Sequence, residues 1–300
     1  MKVIRGMEKG IPCVLALGMF DGVHLGHRAL LDLTREEADQ RGVEAAVWTF
    51  DRIPVAVLQP EKGILQLSTE EERLDLLEEA GMDRTFLIPF DRETAAVEPE
   101  VFLQEVRDLL KPVCLVAGYD YSFGRFGRGN TEMLKAFGAA NGIDVHIVPP
   151  VEADGSKISS TRIREELANG NVSKAAELMG HPYGITGQVV RGKGMGRTLG
   201  YPTANIGVSA EKLLPAYGVY ACELSWENER HPAVVNIGLQ PTLPSGNVTV
   251  EAFIPDGEYD LRDRKVKLLL KDRIRGEKKF DSVEALKKQI AEDIKKAKGI

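Results

Sequence analysis

The stretch Pro12-Cys-Val-Leu-Ala-Leu-Gly-Met-Phe-Asp-Gly-Val-His-Leu-Gly-His27 decides the fold of the first half of the chain. It begins with a continuous apolar run that is typical of a buried strand, and a helical pattern follows from about His27 to Arg41. Gly18, Gly22 and Gly26 allow a tight turn that brings the N–H groups of the helix N-terminus against an anion. The stretch therefore predicts a strand, a phosphate-binding loop and a helix.

Strands and helices continue to alternate beyond this unit. We expect Gly42 to end the first helix, a hydroxyl cap at Ser68 or Thr69 to begin another, and Pro99 to lie in the first turn of a third. The predicted strands are Pro12–Leu17, Glu44–Trp48, Arg84–Ile88, Val113–Ala117 and Asp144–Val148. Five strands with intervening helices indicate an α/β fold with a doubly wound parallel sheet, which binds ligands at the carboxyl ends of its strands.

The second half has a different sequence pattern, in which turn residues separate short strand-like segments. The segments are Ile185–Val190, Val219–Leu224, Ala233–Ile237, Val248–Ile254 and Lys265–Leu270, and they predict a small antiparallel β-barrel. A terminal helix beginning at Asp281 or Ser282 should pack on the barrel through an apolar stripe of Val283, Leu286, Ile290 and Ile294. Ser159–Met179 has a helical pattern that His181-Pro-Tyr-Gly interrupts. We therefore expect two domains, residues 1–181 and 182–300.

Composition narrows the class of protein. The 300 residues carry a net charge of −6, which argues against a nucleic-acid partner or a membrane-surface partner. Cys13, Cys114 and Cys222 lie far apart in apolar surroundings, which favours reduced core residues over disulfides or metal ligands. Charged residues interrupt the N-terminal segment, so it does not read as a signal peptide. We expect a cytoplasmic protein that is a monomer or a weak homo-oligomer.

Two histidines, His24 and His27, flank Gly26 at the expected start of the first helix. At that spacing both imidazoles can point toward an anion at the helix N-terminus, although a capping or packing role is the alternative. Phe20–His27 resembles the His-x-Gly-His signature of the nucleotidyltransferase superfamily. Ile158-Ser-Ser-Thr-Arg-Ile-Arg164 resembles that superfamily's second signature, Ile-Ser-Ser-Thr-x-x-Arg, and follows in the expected order.

This resemblance implies a Rossmann-like nucleotidyltransferase domain in which a phosphate attacks the α-phosphorus of ATP and pyrophosphate leaves. The protein then supplies positioning and charge stabilisation. The resemblance implies that His24, His27 and Arg164 are catalytic and contact the triphosphate. Ser159, Ser160 and Thr161 would hold its β- and γ-phosphates, an ordinary helix cap being the alternative. The other expected ATP contacts in this half are Gly18, Phe20, Asp21, Gly22 and Gly26.

A third segment, Gly118-Tyr-Asp-Tyr-Ser-Phe-Gly124, resembles the Gly-x-Asp-Phe-x-Phe-Gly element of prokaryotic FAD synthetases. The resemblance implies that Asp120, Tyr121 and Phe123 bind flavin, whereas a turn with aromatic core anchors is the alternative. Thr49-Phe-Asp-Arg-Ile-Pro54 departs from that family's usual Thr-Phe-Asp-Pro-His-Pro. Ile53 therefore stands where the family pattern has this histidine.

The glycine-rich stretch Gly192-Lys-Gly-Met-Gly-Arg-Thr-Leu-Gly-Tyr-Pro-Thr-Ala-Asn205 predicts a second phosphate site. It does not complete a Walker A loop, because Gly194 replaces the Ser or Thr that binds magnesium, and it lacks the spacing of a dinucleotide fingerprint. Gly196–Asn205 instead resembles the riboflavin kinase signature Gly-Arg-x-Leu-Gly-x-Pro-Thr-Ala-Asn. The phosphate contacts that we expect here are Gly192, Lys193, Gly194, Gly196 and Arg197.

Thr203 and Asn205 offer oxygen ligands to a magnesium ion that bridges protein and ATP, with plain turn chemistry as the alternative. Phosphorylation of a primary hydroxyl also needs a base, and the family resemblance implies Glu251 in that role. A solvated glutamate on a half-exposed strand is the alternative. Asn236-Ile-Gly-Leu-Gln-Pro-Thr242 also fits the kinase pattern, whereas Arg262-Asp263 replaces its usual Tyr-Gly pair.

Nearly the whole chain thus resembles the prokaryotic bifunctional riboflavin kinase and FAD synthetase family. The resemblance implies that the C-terminal domain converts riboflavin to FMN and the N-terminal domain converts FMN to FAD, with ATP as co-substrate and Mg²⁺ at both sites. A monofunctional adenylyltransferase with a flavin-binding barrel is one alternative. A flavin-responsive regulatory or RNA-binding protein is another, which the acidic balance disfavours.

Overall fold

The computed structural model describes residues 1–192, 196, 200–239, 248–255, 257 and 259–300. The chain forms two units, Met1–Ser160 and Thr161–Ile300.

The first unit contains a six-stranded sheet in which every neighbouring pair of strands is parallel. Its strands are β1 (Lys2–Arg5), β2 (Cys13–Leu17), β3 (Glu44–Phe50), β4 (Arg84–Ile88), β5 (Pro112–Gly118) and β6 (Asp144–Val148), in the order β1-β4-β3-β2-β5-β6. The predicted parallel α/β sheet is confirmed, but the count of five strands is wrong. Strand β1 was not predicted, because only Ile4 of its four residues is buried and the segment shows no alternation of apolar and polar residues.

Helices connect these strands and cover both faces of the sheet. They are α1 (Leu25–Arg41), α2 (Pro54–Leu58), α3 (Glu70–Glu79), α4 (Arg92–Ala95), α5 (Pro99–Glu105) and α6 (Thr131–Asn141), with a π-helical turn at Val106–Leu110. Gly42 caps α1 in the left-handed conformation, as expected. At the start of α3, Thr69 and Glu72 form a reciprocal capping box.

Alternate residues of the central strands feed two hydrophobic cores. Leu15 and Leu115 lie in the core on one face, whereas Val14, Ala16 and Val116 lie in the core beneath α1 on the other. After β2 the chain adds strands toward β4, and after β5 it adds strands in the opposite direction. The crevice between the carboxyl ends of β2 and β5 is therefore the topological switch point, where such sheets bind ligands.

Two short strands, β7 (Glu152–Ala153) and β8 (Ser156–Lys157), form a hairpin before α7 (Ser160–Ala168) and α8 (Val172–Met179). The stretch predicted as one helical region is thus two helices. Gly170 separates them with a φ of +80°, and a Cβ at this position would lie 2.6 Å from Nη1 of Arg273. Only glycine suits both constraints.

The second unit contains a closed antiparallel barrel with the strand order β10-β13-β12-β11-β14-β9. The strands are β9 (Tyr183–Val190), β10 (Ala204–Val208), β11 (Gly218–Trp226), β12 (Glu229–Leu239), β13 (Val248–Phe253) and β14 (Lys265–Gly276). The predicted barrel is confirmed, with a sixth strand that was not predicted. That strand, β10, contains Asn205 and Gly207, which have low strand propensity, and its pairing with β9 and β13 overrides that propensity.

A terminal helix, α9 (Val283–Ala297), packs against β11, β12 and β14, and Ser282 caps it. Of its predicted apolar stripe, Leu286, Ile290 and Ile294 are partly buried, but Val283 is 51% exposed and does not pack. A buried ion pair adds to the attachment, because Asp293 accepts from Nη2 of Arg275 at 2.9 Å. Among the described residues, no helix is both long enough and apolar enough to cross a membrane.

Candidate active sites

The loop that joins β2 to α1 lies at the switch point of the sheet. Gly18 follows β2 directly, and Gly118 ends the neighbouring strand β5. A Cβ on Gly18 would lie 3.0 Å from the ring of Phe20, so glycine permits the close turn. The predicted phosphate loop therefore stands where the topology places a ligand.

The predicted histidine pair is brought together at the N-terminus of α1. His24 is the N-cap residue, and its Nδ1 accepts from the backbone N–H of His27 at 3.3 Å. The two rings stack with centroids 3.7 Å apart. A Cβ on Gly26 would lie 3.1 Å from Cε1 of His24, so the glycine between the histidines leaves room for this ring.

Two residues of the loop hold backbone conformations that side chains rarely adopt. Phe20 has a φ of +53° and Val23 a φ of +39°, and both side chains are buried. The ring of Phe20 also contacts that of His27, with centroids 5.3 Å apart. Strain of this kind persists where surrounding packing enforces it, and it is concentrated at functional sites.

Asp21 and Gly22 position the loop through Ser68. The buried carboxylate of Asp21 accepts from the backbone N–H groups of Leu67 and Ser68 at 3.2 and 3.1 Å. The N–H of Gly22 donates to the Ser68 hydroxyl at 2.9 Å. The side chain of Asp21, predicted to contact ATP, is thus engaged with the protein.

The two nucleotidyltransferase-like motifs meet at Ser160. Its hydroxyl donates to the backbone carbonyl of Asp21 at 3.2 Å, which joins the start of α7 to the histidine loop. Ser159 immediately precedes the helix, and Thr161 and Arg164 lie in its first turns. Ser160 and the histidine loop, which are far apart in sequence, are therefore in direct contact.

Burial keeps the imidazole of His27 neutral. Desolvation, with a smaller contribution from His24, lowers the pKa of His27 well below its usual value. Its Nδ1 is buried and has no hydrogen-bond partner among the described residues. A bound phosphate would supply both a partner for this ring and a charge that favours its protonation.

A cavity of about 1100 Å³ opens beside this ring. Gly18, Phe20 and His27 line one part of it, and Asp120, Tyr121 and Phe123 line another. The first and third sequence motifs therefore share one site. Its volume is slightly above the ~300–1,000 Å³ usual for small-molecule pockets, so it is large enough for a ligand of that class.

The two aromatic rings of the third motif stack on each other, and one of them packs closely against Gly129. Tyr121 and Phe123 stack with centroids 5.6 Å apart, and a Cβ on Gly129 would lie 2.5 Å from the ring of Phe123. Phe123 is buried, Tyr121 is partly buried and Asp120 is exposed. The rings thus pack in the core and also line the cavity, and flavin binding by them stays a prediction.

On the barrel, strand register brings three polar residues together. Glu251 of β13 lies opposite Asn205 of β10 on one side and opposite Asn236 of β12 on the other. Val250 and Ala252, its neighbours along the strand, are buried, so the partly buried Glu251 faces outward. The predicted base and one predicted metal ligand are therefore cross-strand neighbours.

Glycines leave space around this group. A Cβ on Gly192 would overlap the amide of Asn205, and a Cβ on Gly196 would lie 2.9 Å from Oγ1 of Thr203. Burial raises the pKa of Glu251 above that of a free glutamate, which suits a general base. Three predicted phosphate contacts, Lys193, Gly194 and Arg197, lie outside the described residues.

Comparisons with known proteins match both halves of the chain. A family model described as FAD synthetase matches residues 7–162, and one described as riboflavin kinase matches residues 179–300. The chain is 36% identical to the bifunctional riboflavin kinase/FMN adenylyltransferase of Escherichia coli (strain K12), over 98% of this chain and 96% of that protein. It belongs to the bifunctional riboflavin kinase/FMN adenylyltransferase family.

Further relatives extend the agreement. The family member from Bacillus subtilis (strain 168) is 33% identical over 97% of this chain and 93% of its own length. A crystal structure described as a macrolide-efflux protein from Streptococcus pneumoniae superposes with a TM-score of 0.91 at 31% identity, and the match covers 100% of both chains. The family that the motifs predicted is thereby confirmed.

Two departures from the family pattern are local in their effect. Thr49 donates to the carbonyl of Met19 at 3.1 Å, and Asp51 accepts from the N–H of Phe90 at 2.9 Å. These two residues of the motif therefore hold neighbouring backbone in place. At the position of the family's usual histidine, Ile53 is only 7% exposed and caps α2. In the other departure, Arg262 pairs with Asp260 and holds the pKa of that carboxyl at about 2.

Several residues that line the cavity of the first unit were not predicted from the sequence. Trp48, Phe50 and Phe90 form part of its wall, with Arg92 and Arg125 also lining it. Trp48 is only 5% exposed, yet its Nε1 has no partner among the described residues. The available signal was position, because Trp48, Phe50 and Phe90 lie at or just beyond the carboxyl ends of β3 and β4.

Proposed function

We propose that this chain makes FAD from riboflavin in two steps, each with its own ATP. The barrel phosphorylates riboflavin to FMN, and the sheet domain transfers AMP to FMN and releases pyrophosphate. The observation that carries this proposal is that each half assembles a separate site from its own family motifs. Glu251 lies between Asn205 and Asn236 on the barrel, and Ser160 contacts the histidine loop in the first unit.

In the kinase step, Glu251 accepts the proton of the terminal ribityl hydroxyl. The oxygen attacks the γ-phosphorus of ATP, the bond between that phosphorus and the β,γ-bridging oxygen breaks, and ADP leaves. A carboxylate with a raised pKa is a stronger base than a free one. The neighbouring Asn205 and Asn236 can orient this carboxylate and the substrate.

The residues around Glu251 fit a magnesium ion. Thr203 and Asn205 offer oxygen donors, which magnesium prefers, and the missing side chains at Gly192 and Gly196 leave room beside them. We assign Thr203 and Asn205 as the residues that would hold it. When bound, the ion neutralises charge on the transferring phosphate.

In the adenylyl step, a phosphate oxygen of FMN attacks the α-phosphorus of ATP and the bond to the pyrophosphate leaving group breaks. His24 and His27 contact the triphosphate, and Ser159, Ser160, Thr161 and Arg164 hold its β- and γ-phosphates. The N-terminus of α1 favours this charge, since its first turn, Leu25–Arg28, contains no acidic residue. Tyr121, Phe123 and Asp120 border the flavin ring.

The same assignment leads to proposals about the domain bounds, the partners, the oligomeric state and the location of the protein. We place the adenylyltransferase in residues 1–181 and the kinase in residues 182–300. Riboflavin, FMN and ATP are its partners, with no nucleic-acid or membrane partner, and the chain is a monomer or weak homo-oligomer. Free, buried Cys13, Cys114 and Cys222 support a reducing, cytoplasmic location.

Incubation with riboflavin, ATP and magnesium tests the proposal, with riboflavin, FMN and FAD separated by chromatography. Glu251→Gln should block FMN formation by about 10²-fold or more, because the base is lost while the shape is kept. His27→Asn should block only the conversion of supplied FMN to FAD. Glu223→Gln, a half-buried glutamate on β11, is the matched control and should leave both steps unchanged.

The outcomes separate the alternatives. If FAD forms only from supplied FMN, the barrel is a flavin-binding module and the kinase assignment is wrong. If neither product forms and the protein instead binds RNA with strong salt dependence, the regulatory alternative replaces ours.

A further inference from the structure

Three side chains that neither proposed reaction uses converge on the α1 face of the sheet. Glu37 comes from α1, Cys114 from β5 and His146 from β6, and a ligand atom from each lies within 4.8 Å of the other two. Nε2 of His146 is 3.4 Å from Oε1 of Glu37. Cys114 and His146 share a face, because Cys114 pairs with Asp144 and Val116 pairs with His146 in register.

This cluster is separate from the nucleotide cavity. None of its three residues is among the described residues that line that cavity. Cys114 lies near the amino end of β5, whereas the cavity lies beyond the carboxyl end at Gly118. Any ligand of this cluster therefore binds independently of ATP and flavin.

We propose that Glu37, Cys114 and His146 form a binding site for a thiophilic divalent cation such as Zn²⁺. Thiolate, imidazole and carboxylate are the three side-chain ligands of protein zinc sites, with bonds of ~2.0–2.3 Å. Tetrahedral bonds of that length separate ligand atoms by roughly 3.3–3.8 Å. The observed spacing requires only a small contraction, and a water molecule completes the shell.

The surrounding charges balance with a cation bound. Arg41 pairs with Glu37 at 2.9 Å and with Asp144 at 2.8 Å, so it keeps a carboxylate partner when Glu37 turns to the metal. Binding releases the thiol proton of Cys114 to solvent. The two carboxylates, the thiolate, the Arg41 guanidinium and a divalent cation then sum to zero net charge.

The positions of the three side chains also indicate how an ion could enter the site and which elements it would connect. The side chain of His146 is 39% exposed and that of Glu37 is 15% exposed, so an ion can enter from their side while the sulfur stays buried. The bound cation would join α1 to β5 and β6. Because α1 carries His24 and His27 at its N-terminus, we expect the cation to stabilise the element that positions them.

Zinc titration of the purified full-length protein against a chromophoric chelator tests the site. The wild type should bind one Zn²⁺ at this site, and Cys114→Ser and His146→Gln should each weaken that binding at least tenfold. Cys222→Ser and His231→Gln, in the barrel, are the matched controls and should leave it unchanged. Substitution by Co²⁺ should give a thiolate-to-metal charge-transfer absorption that Cys114→Ser removes.

The His146→Gln variant shows whether a loss of zinc binding is due to misfolding. Because this side chain is partly exposed, the variant should keep the far-ultraviolet circular dichroism and the melting temperature of the metal-free wild type. Zinc should raise the melting temperature of the wild type but not that of this variant. The proposal is overturned if no zinc binds, if the cobalt complex lacks a thiolate band, or if His146→Gln binds zinc as tightly as wild type.

Discussion

At the scale of the residue, burial sets the chemistry of His27. The ring stacks on His24 and contacts Phe20, so a positive charge there lacks solvation. The depressed pKa means that the folded ATP-free protein keeps this imidazole neutral, whereas the unfolded chain protonates it below about pH 6.5. We therefore expect a bound triphosphate to raise the pKa of His27, because it would place negative charge beside the ring.

A pH dependence of stability follows from that pKa. Between the folded and unfolded values the unfolded state binds more protons, so His27 makes stability fall as pH falls below about 6.5. We expect His27→Gln to reduce this loss, by at most about 1.4 kcal/mol per pH unit. Urea unfolding of both proteins at pH 7.5 and 5.5 measures the effect. Equal losses in the two proteins would contradict it.

The unpaired indole N–H of Trp48 leads to a second prediction. In the free protein this donor is buried in the cavity wall without a partner among the described residues. If a bound ligand ring accepts from it, Trp48→Phe removes one hydrogen bond, worth about 1 kcal/mol or a fivefold higher KM in FAD formation. Steady-state kinetics with FMN and ATP test this. Trp226→Phe on the barrel is the control, and an unchanged KM for both substrates in Trp48→Phe refutes the role.

At the scale of the element, strand β10 assembles the kinase site. Its pairing with β13 places Asn205 beside Glu251, and its pairing with β9 brings the Gly192 backbone against the Asn205 side chain. Asn205 is short and half-buried, so it has little freedom to yield. The strand is thus important for the position of one amide group.

We therefore expect Gly192→Ala to lower the kinase rate at least tenfold, because the new methyl group displaces the Asn205 amide. The φ angle of Gly192 does not require glycine, so the melting temperature should change by only about 1–2 °C. Gly184→Ala in β9 is the matched control, since its Cβ would meet Leu269 at an ordinary 3.6 Å. An equal loss of rate in both variants would show a general effect on β9 instead.

At the scale of the whole molecule, the two proposed sites have no assigned residue in common. Ser160 and the histidine loop belong to Met1–Ser160, and Asn205, Asn236 and Glu251 belong to Thr161–Ile300. A defect in one site should therefore leave the other intact. FMN released by one molecule should then serve as substrate for another.

A mixing experiment tests this independence. Neither Glu251→Gln nor His27→Asn should make FAD from riboflavin alone, but an equimolar mixture should do so after a lag in which FMN accumulates. Chromatography over time, at several protein concentrations, follows both products. FAD formation by wild type and none by the mixture would mean that FMN does not pass between molecules.

Much of the fold and both candidate sites could be predicted from contiguous sequence. Hydrophobic runs identified five of the six parallel strands, because strand period, helix caps and tight turns depend on neighbouring residues. The glycine-rich loops indicated two candidate phosphate sites, which stay predictions. Strand β1 and strand β10 were missed because each is held by pairing partners that are distant in the chain.

Contiguous sequence was sufficient to predict the α/β and barrel classes, the family, and the loops that carry the proposed phosphate contacts. Only the tertiary structure decided that Ser160 contacts Asp21, that Glu251 lies between two asparagines, and that Glu37, Cys114 and His146 converge. It also decided that Trp48 lines the cavity and that His27 is neutral. The physical reason is that register, burial and desolvation arise from long-range packing, which local sequence patterns do not encode.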